Sequence, residues 1–166
     1  SCIAAFYNFE NFYDTINNPV IDDEEFLPSG AKHYSSSIYH KKVSNLAKVV
    51  QKIGAEINND GPAILGAVEI ENDTVLQDLI KHPLLKNRGY LFVHENSKDL
   101  RGIDVALLYQ PKYFKPLIHK SLTVQLPSRN KLPYFTRDIL YVKGVLLNDT
   151  VHIYVNHWPS RRGGQK

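Results

Sequence analysis

Residues 63–70 read AILGAVEI, an apolar run broken only near its far end by Glu69. Such a run fits a strand covered on both faces, and its flanks read accordingly. Upstream, Val43, Leu46, Ala47, Val50, Ile53, Gly54 and Ile57 recur at three- and four-residue spacing, the mark of a helix with one apolar face. Asn58-Asn59-Asp60-Gly61-Pro62 stops it. Downstream, Asn72 and Asp73 offer N-caps for a second helix with the stripe Val75, Leu76, Leu79 and Ile80, ending at His82-Pro83.

Further out, Cys2–Tyr7 reads as a short buried strand, and strands are predicted at Tyr90–His94, Ile103–Tyr109 and Leu117–Leu126. Ile139–Leu147 and Thr150–Trp158 form a predicted hairpin turning at Asn148-Asp149, residue types that tolerate positive φ. Strand, helix, strand, helix and then a run of strands is a mixed α/β order, of α+β type. Residues 8–40 carry little periodicity, and so long an irregular stretch is expected to be functional or mobile.

The 166 residues fit one domain, and a chain of this size buries roughly 70% of its unfolded surface. With 43% hydrophobic and 22% charged residues it is neither disordered nor fibrous. No apolar run approaches the roughly 18 residues of a membrane span. Cys2 is the single cysteine, so no internal disulfide holds the fold. The chain has no methionine and opens with Ser-Cys-Ile at an apparent strand, which points to a removed leader or a cut from a longer chain.

A net charge of +3 is too small to imply a polyanionic partner, but it is unevenly spread. Residues 1–30 hold six acids and no Lys or Arg, whereas residues 110–143 hold seven bases against the single acid Asp138. A basic stretch of this kind attracts phosphates, or forms an ordinary solvated face.

Three apolar strands finish in metal- or phosphate-binding residue types: Asn8, Glu69, and the pair Asn156-His157. A carboxylate directly after five apolar residues needs an exit to solvent, a cation or a metal, and strand ends are where α/β proteins place ligands. Arg137 and Asp138 stand at the open end of the predicted hairpin, within roughly 10 Å of His157. Arg101 and Asp104 reach the same edge if their strand runs antiparallel. Convergence of these residues would suit metal-assisted attack on a phosphate, with Glu69 holding a hard cation such as Mg²⁺ near Asn8, and His157 and Arg137 meeting developing charge. Each residue taken singly also has an ordinary reading. Glu69 fits a strand-end salt bridge, His157 a structural hydrogen bond, Asn8 a turn cap, and Arg137 a pair with Asp138. His33, His40, His82, His94, His119 and His152 show no metal-ligand spacing, and CxxC, HExxH, GxGxxG, P-loop and GxSxG motifs are absent.

At these same residues the sequence resembles the endonuclease/exonuclease/phosphatase superfamily of DNase I-like enzymes. The matching segments are FYNFENFYD (6–14), GAVEIEN (66–72), RGIDVALLY (101–109), TRDILYVKG (136–144) and VNHWPSRRGG (155–164), in family order. The resemblance implies half of a four-layer α/β/β/α sandwich, the N-terminal part over residues 1–166. It also implies a Mg²⁺- or Mn²⁺-dependent phosphoric ester hydrolase that cleaves a phosphodiester or phosphomonoester, nuclease- or phosphatase-like, in nucleic acid or a small phosphodiester. By position, Asn8 matches the asparagine beside metal and phosphate, Glu69 the metal-binding glutamate, Arg137 the phosphate-facing arginine and His157 the first catalytic histidine. Asp104 matches, loosely, an acid that orients that histidine. Asn156, Arg161 and Arg162 are added as phosphate contacts, and Glu10 and Glu71 as supporting acids. The family's Gly-Asp-x-Asn and Ser-Asp-His segments do not occur here. A missing C-terminal half is therefore expected, together with an uncovered apolar sheet face and little turnover by this chain alone. The subgroup's exported members lean the compartment toward periplasmic or secreted. The alternative reading is a non-catalytic phosphate- or nucleic-acid-binding module.

Overall fold

The computed structural model describes residues 2–129 and 132–158. In chain order its elements are β1 (Ala4–Phe12), α1 (Ser36–Lys52), β2 (Ile64–Ile70), α2 (Asp73–Lys81), β3 (Leu91–His94), β4 (Asp104–Tyr109), β5 (Phe114–Leu122), β6 (Gln125–Arg129), β7 (Leu132–Phe135), β8 (Ile139–Leu146) and β9 (Asp149–Val155). One sheet has the order β1-β2-β4-β3, a second β5-β8-β9, and β6 pairs with β7. β1 and β2 run parallel, so α1 is the crossover that parallel neighbours require. β4 is antiparallel to both β2 and β3.

Side-chain alternation along β2 makes two cores. Leu65 and Ala67 pack with Val43, Leu46, Ala47 and Val50 of α1 and Val75, Leu76 and Leu79 of α2. Ile64 and Val68 point the other way and meet Leu140, Val142 and Val155 of the second sheet. The described residues thus form helix, sheet and sheet layers, three of the four that the resemblance implies. Gly66 lets the sheets close, because a Cβ there would stand 3.2 Å from the Phe6 ring and 3.5 Å from Val155. Phe6 lies on that same inter-sheet face of edge strand β1 but is 58% exposed. Ile118, Leu122 and Tyr154 are exposed on the outer face of the second sheet. Apolar side chains are therefore exposed at two places among the described residues.

The α2 cap follows its sequence signal, and α1 adds a cap at Ser35. Asn72 accepts from Val75 N at 3.1 Å, and Ser35 accepts from Ile38 N at 3.4 Å. α1 spans Ser36–Lys52, starting and ending earlier than its periodic residues suggest. The irregular stretch is shorter than 8–40 because β1 continues through Asn8 to Phe12. It is also packed: Tyr13 stacks on Phe26 at 4.0 Å, and Phe26 and Tyr34 join the helix-side core.

Three strand expectations need correction. The strand read as buried at Cys2–Tyr7 is edge strand β1, Ala4–Phe12, with Ala4, Phe6 and Tyr7 exposed. The strand predicted at Leu117–Leu126 is β5, Phe114–Leu122, because its partner β8 gives out at the Leu122–Ile139 pair and the chain then folds onto itself as β6–β7. The β8–β9 turn lies at Leu147-Asn148, with Leu146 opposite Asp149. Leu147 N donates to Tyr113 O at 2.8 Å, which fixes Leu147 in the turn at φ 57°. The register therefore slips by two residues and Leu140 faces Val155 rather than His157. A slip of two keeps every side chain on its face, and His157 still emerges beside Arg137. Among the described residues, no helix is long and apolar enough to cross a membrane.

Candidate active site

The site is built on a double irregularity at the end of β1 and β2. Asn8 is opposite Val68 and Phe12 opposite Ile70, so three residues of β1 span the single Glu69 of β2. β4 also skips Glu69, passing from Val105 opposite Val68 to Asp104 opposite Ile70. Glu69 is thus a bulge residue, with φ 63°. Bulges re-aim a side chain beside active sites, and a non-glycine residue held at positive φ marks a position where the surroundings override a local cost.

Across from it, Asn8 Oδ1 accepts the backbone N–H of Glu10 at 2.7 Å, closing a tight turn in which Glu10 and Asn11 have φ 55° and 53°. That turn aims Asn11 N at Glu69 Oε2, 2.8 Å away, while Asn8 Nδ2 donates to Glu69 Oε1 at 3.1 Å. His157, just past β9, completes the group with Nε2 at 3.3 Å from Glu69 Oε1. Burial holds the His157 pKa below its ordinary value, helped by the nearby Arg137 guanidinium and only partly opposed by Glu69. His157 therefore favours the neutral imidazole, able to donate one hydrogen bond and accept another.

Arg137, Asn156 and His157 line one small cavity with Val124, Thr136, Ile139 and Trp158. Asn156 itself donates to Tyr154 O at 3.2 Å. Arg137 does not pair with its neighbour Asp138, whose Oδ2 accepts the hydroxyls of Ser121 and Thr123 at 2.6 and 3.4 Å. Its carboxylate neighbour is Asp99 Oδ2, 3.6 Å from Arg137 Nε.

Asp104 is placed differently from expectation. Its Oδ2 stands 3.5 Å from His94 Nε2 and its Oδ1 accepts Ser97 N at 3.0 Å, so the imidazole it meets is His94 and not His157. The reason is the bulge at Glu69: Asp104 pairs with Ile70 at the far end of β4, next to β3, where His94 lies. Of the supporting acids, Glu71 accepts Asp14 N at 2.7 Å, and burial pushes its carboxyl up to about 7. Glu10 contributes its carbonyl, which accepts Lys42 Nζ at 2.8 Å. Arg161 and Arg162 lie outside the described residues.

Among the described residues no group of three or more His, Cys, Asp or Glu side chains converges as a metal cage. The oxygen donors at this point are those of the Glu69 carboxylate, since Asn8 turns Nδ2 toward it and uses Oδ1 to accept Glu10 N. That set fits a small hard cation that keeps most of its water and takes one or two carboxylates plus a substrate phosphate, and it does not fit an all-protein cage.

A family model described as "Endonuclease/Exonuclease/phosphatase family" matches residues 2–166. The chain belongs to that family. A search of the curated proteins finds no match. The crystal structure of ANGEL2, a 2',3'-cyclic phosphatase, aligns with a TM-score of 0.46 at 14% identity over 70% of this chain. The chain spans 31% of the length of that protein. For a member of the endonuclease/exonuclease/phosphatase family, the residues that sequence reasoning missed here are Asp99 and the Asn11 backbone amide. Asp99 sits in a loop without periodicity, and its only sequence signal is an acid set between bases in Lys98-Asp99-Leu100-Arg101.

Proposed function

We propose that this chain carries the cation- and phosphate-binding part of a divalent-metal-dependent phosphoesterase, acting on a phosphodiester or phosphomonoester. The observation that supports it is the convergence of Asn8, Glu69 and His157, from three strands far apart in sequence, around one carboxylate. Glu69, with Asn8 beside it, would hold Mg²⁺ or Mn²⁺, which supplies charge neutralisation at non-bridging phosphoryl oxygens. His157, neutral at physiological pH, donates a hydrogen bond to a phosphoryl oxygen. Arg137 meets the negative charge that grows as the attacked phosphorus becomes five-coordinate. The Asn11 amide and Asn8 Nδ2 keep the Glu69 carboxylate oriented from the opposite side. Activation of the water falls to an acid of the Gly-Asp-x-Asn type, absent from this sequence, so this chain on its own binds more than it turns over. The acidic N-terminal segment disfavours long duplex DNA laid across it; small phosphodiesters and short nucleic acids remain the favoured substrates.

The test is hydrolysis of a chromogenic phosphodiester and a phosphomonoester by the full-length protein, with and without Mg²⁺ or Mn²⁺. Turnover that a chelator abolishes and added cation restores is expected. Robust turnover indifferent both to chelator and to His157→Ala would overturn the reading.

A further inference from the structure

Arg137 is the cation this reading sets against phosphate, and it is buried, with a side chain only 8% exposed. A guanidinium taken so far from water needs an anion to hold its charge and its direction. Asp138 turns Oδ2 to Ser121 and Thr123. Asp99 is a buried carboxylate beside Arg137, in ion-pair contact at 3.6 Å without a hydrogen bond, and it grips Arg101 directly. Arg101 Nη2 donates to Asp99 Oδ2 at 2.6 Å, and Arg101 Nε donates to Oδ1 at 3.0 Å, a two-pronged pairing. Arg101 N also donates to Oδ1 at 3.0 Å. One negative charge between two positive ones leaves a net cationic cluster next to His157, whose pKa is lowered by burial and by both guanidiniums.

The loop that carries Asp99 is fixed from several directions. Ser97 N donates to Asp104 Oδ1 at 3.0 Å, Asp22 N to Leu100 O at 2.7 Å, and Tyr13 Oη to Arg101 O at 2.5 Å. Gly102 turns the chain at φ 59°, with Ile21 filling the space a Cβ would need. A loop tied at four points is a rigid mount, which is what positioning of a charged group to within an ångström demands.

Resting on the phosphoesterase reading, we infer that Asp99 is a positioning residue, holding the Arg137 and Arg101 guanidiniums side by side so that phosphate meets them already oriented. Arg101, half exposed, stands at the outer edge of this pair.

The experiment is a double-mutant cycle in the full-length protein with Asp99→Asn, Arg137→Ala and both together, using inorganic phosphate as the binding probe and a chromogenic phosphodiester for turnover. Asp99→Asn should weaken phosphate binding and lower kcat/KM by about tenfold, and should cost clearly less once Arg137 is alanine, because only Arg101 then remains for Asp99 to hold. Asp99→Glu should recover part of the loss. In the unmutated protein, the Arg137 Nε–H resonance should show a rigid side chain by ¹⁵N relaxation. Additive losses in the double mutant, unchanged phosphate affinity in folded Asp99→Asn, or a mobile Arg137 would each overturn the inference. Absence of turnover in the unmutated protein would count against the phosphoesterase reading alone, since phosphate affinity and Arg137 mobility still decide the role of Asp99.

Discussion

The backbone amide of Asn11 points at the carboxylate of Glu69 from 2.8 Å, and both residues hold left-handed backbone angles. Neither angle is favourable by itself, and each makes sense through the other. The β1 turn supplies a donor only because Glu69 has been rotated out of its strand to receive it.

Asn8 ties these two irregularities together, capping the turn with Oδ1 and holding Glu69 with Nδ2. Asn8→Ala should therefore cost about 1–2 kcal/mol of stability and also weaken cation binding. Chemical denaturation and calorimetric Mn²⁺ titration of the same variant check both effects. Asn8→Asp keeps the cap but sets a second carboxylate against Glu69 where the donor stood, so it should restore less of the stability at neutral pH than at acid pH.

Glu69→Ala and His157→Ala should each lower kcat/KM of the full-length protein by more than about 100-fold. Glu69→Ala should also abolish the rise in unfolding temperature that saturating Mg²⁺ produces through linkage, whereas His157→Ala should retain it. Steady-state kinetics alongside thermal unfolding with and without cation separates the two roles.

Much of this site was legible because polar residues interrupt apolar runs. Glu69 after Ile64–Val68 and His157 after Val151–Val155 stand out against the strands that carry them. The fold was legible for the same reason, with β2 and α2 marked by an apolar run and an Asn72 cap. The bulge was not, since Glu10, Asn11 and Glu69 adopt positive φ without a glycine to announce it. Nor was the β8–β9 register, where Asn148-Asp149 has the better turn chemistry but a tertiary bond from Leu147 to Tyr113 decides the turn. Asp104 was assigned to the wrong imidazole because residue order along β4 does not reveal that its end abuts β3.

His94 gives the protein a pH-dependent stability. Its side chain is buried, which opposes charge, but Asp104 and Asp73 carboxylates on either side outweigh burial and hold its pKa above the ordinary 6.5. The folded state thus binds this proton more tightly than the unfolded state. The stabilisation is complete below about 6.5 and is lost as pH rises through the raised value. Glu71, pushed up to about 7, gives a slope of the same sign. Thermal midpoints should fall between pH 6 and 8.5, and His94→Gln should flatten part of that fall; a variant with the unmutated slope would show that His94 does not titrate there.

Phe6 presents 58% of its surface on the inter-sheet face of an edge strand. Phe6→Ser should change unfolding free energy by less than about 1 kcal/mol while lowering the light scattering of concentrated solutions of this chain. An unchanged scattering profile would mean that association runs through another surface.

The left-handed angle at Glu69 also sets two selections at odds. Where Glu69 is replaced, glycine relaxes the backbone by about 1 kcal/mol relative to alanine, so libraries of this chain screened for heat resistance alone that give up the acid should settle on glycine there. Libraries screened for catalysis should keep the acid. Position 69 is then a marker in directed evolution: its identity reveals which pressure a population has experienced.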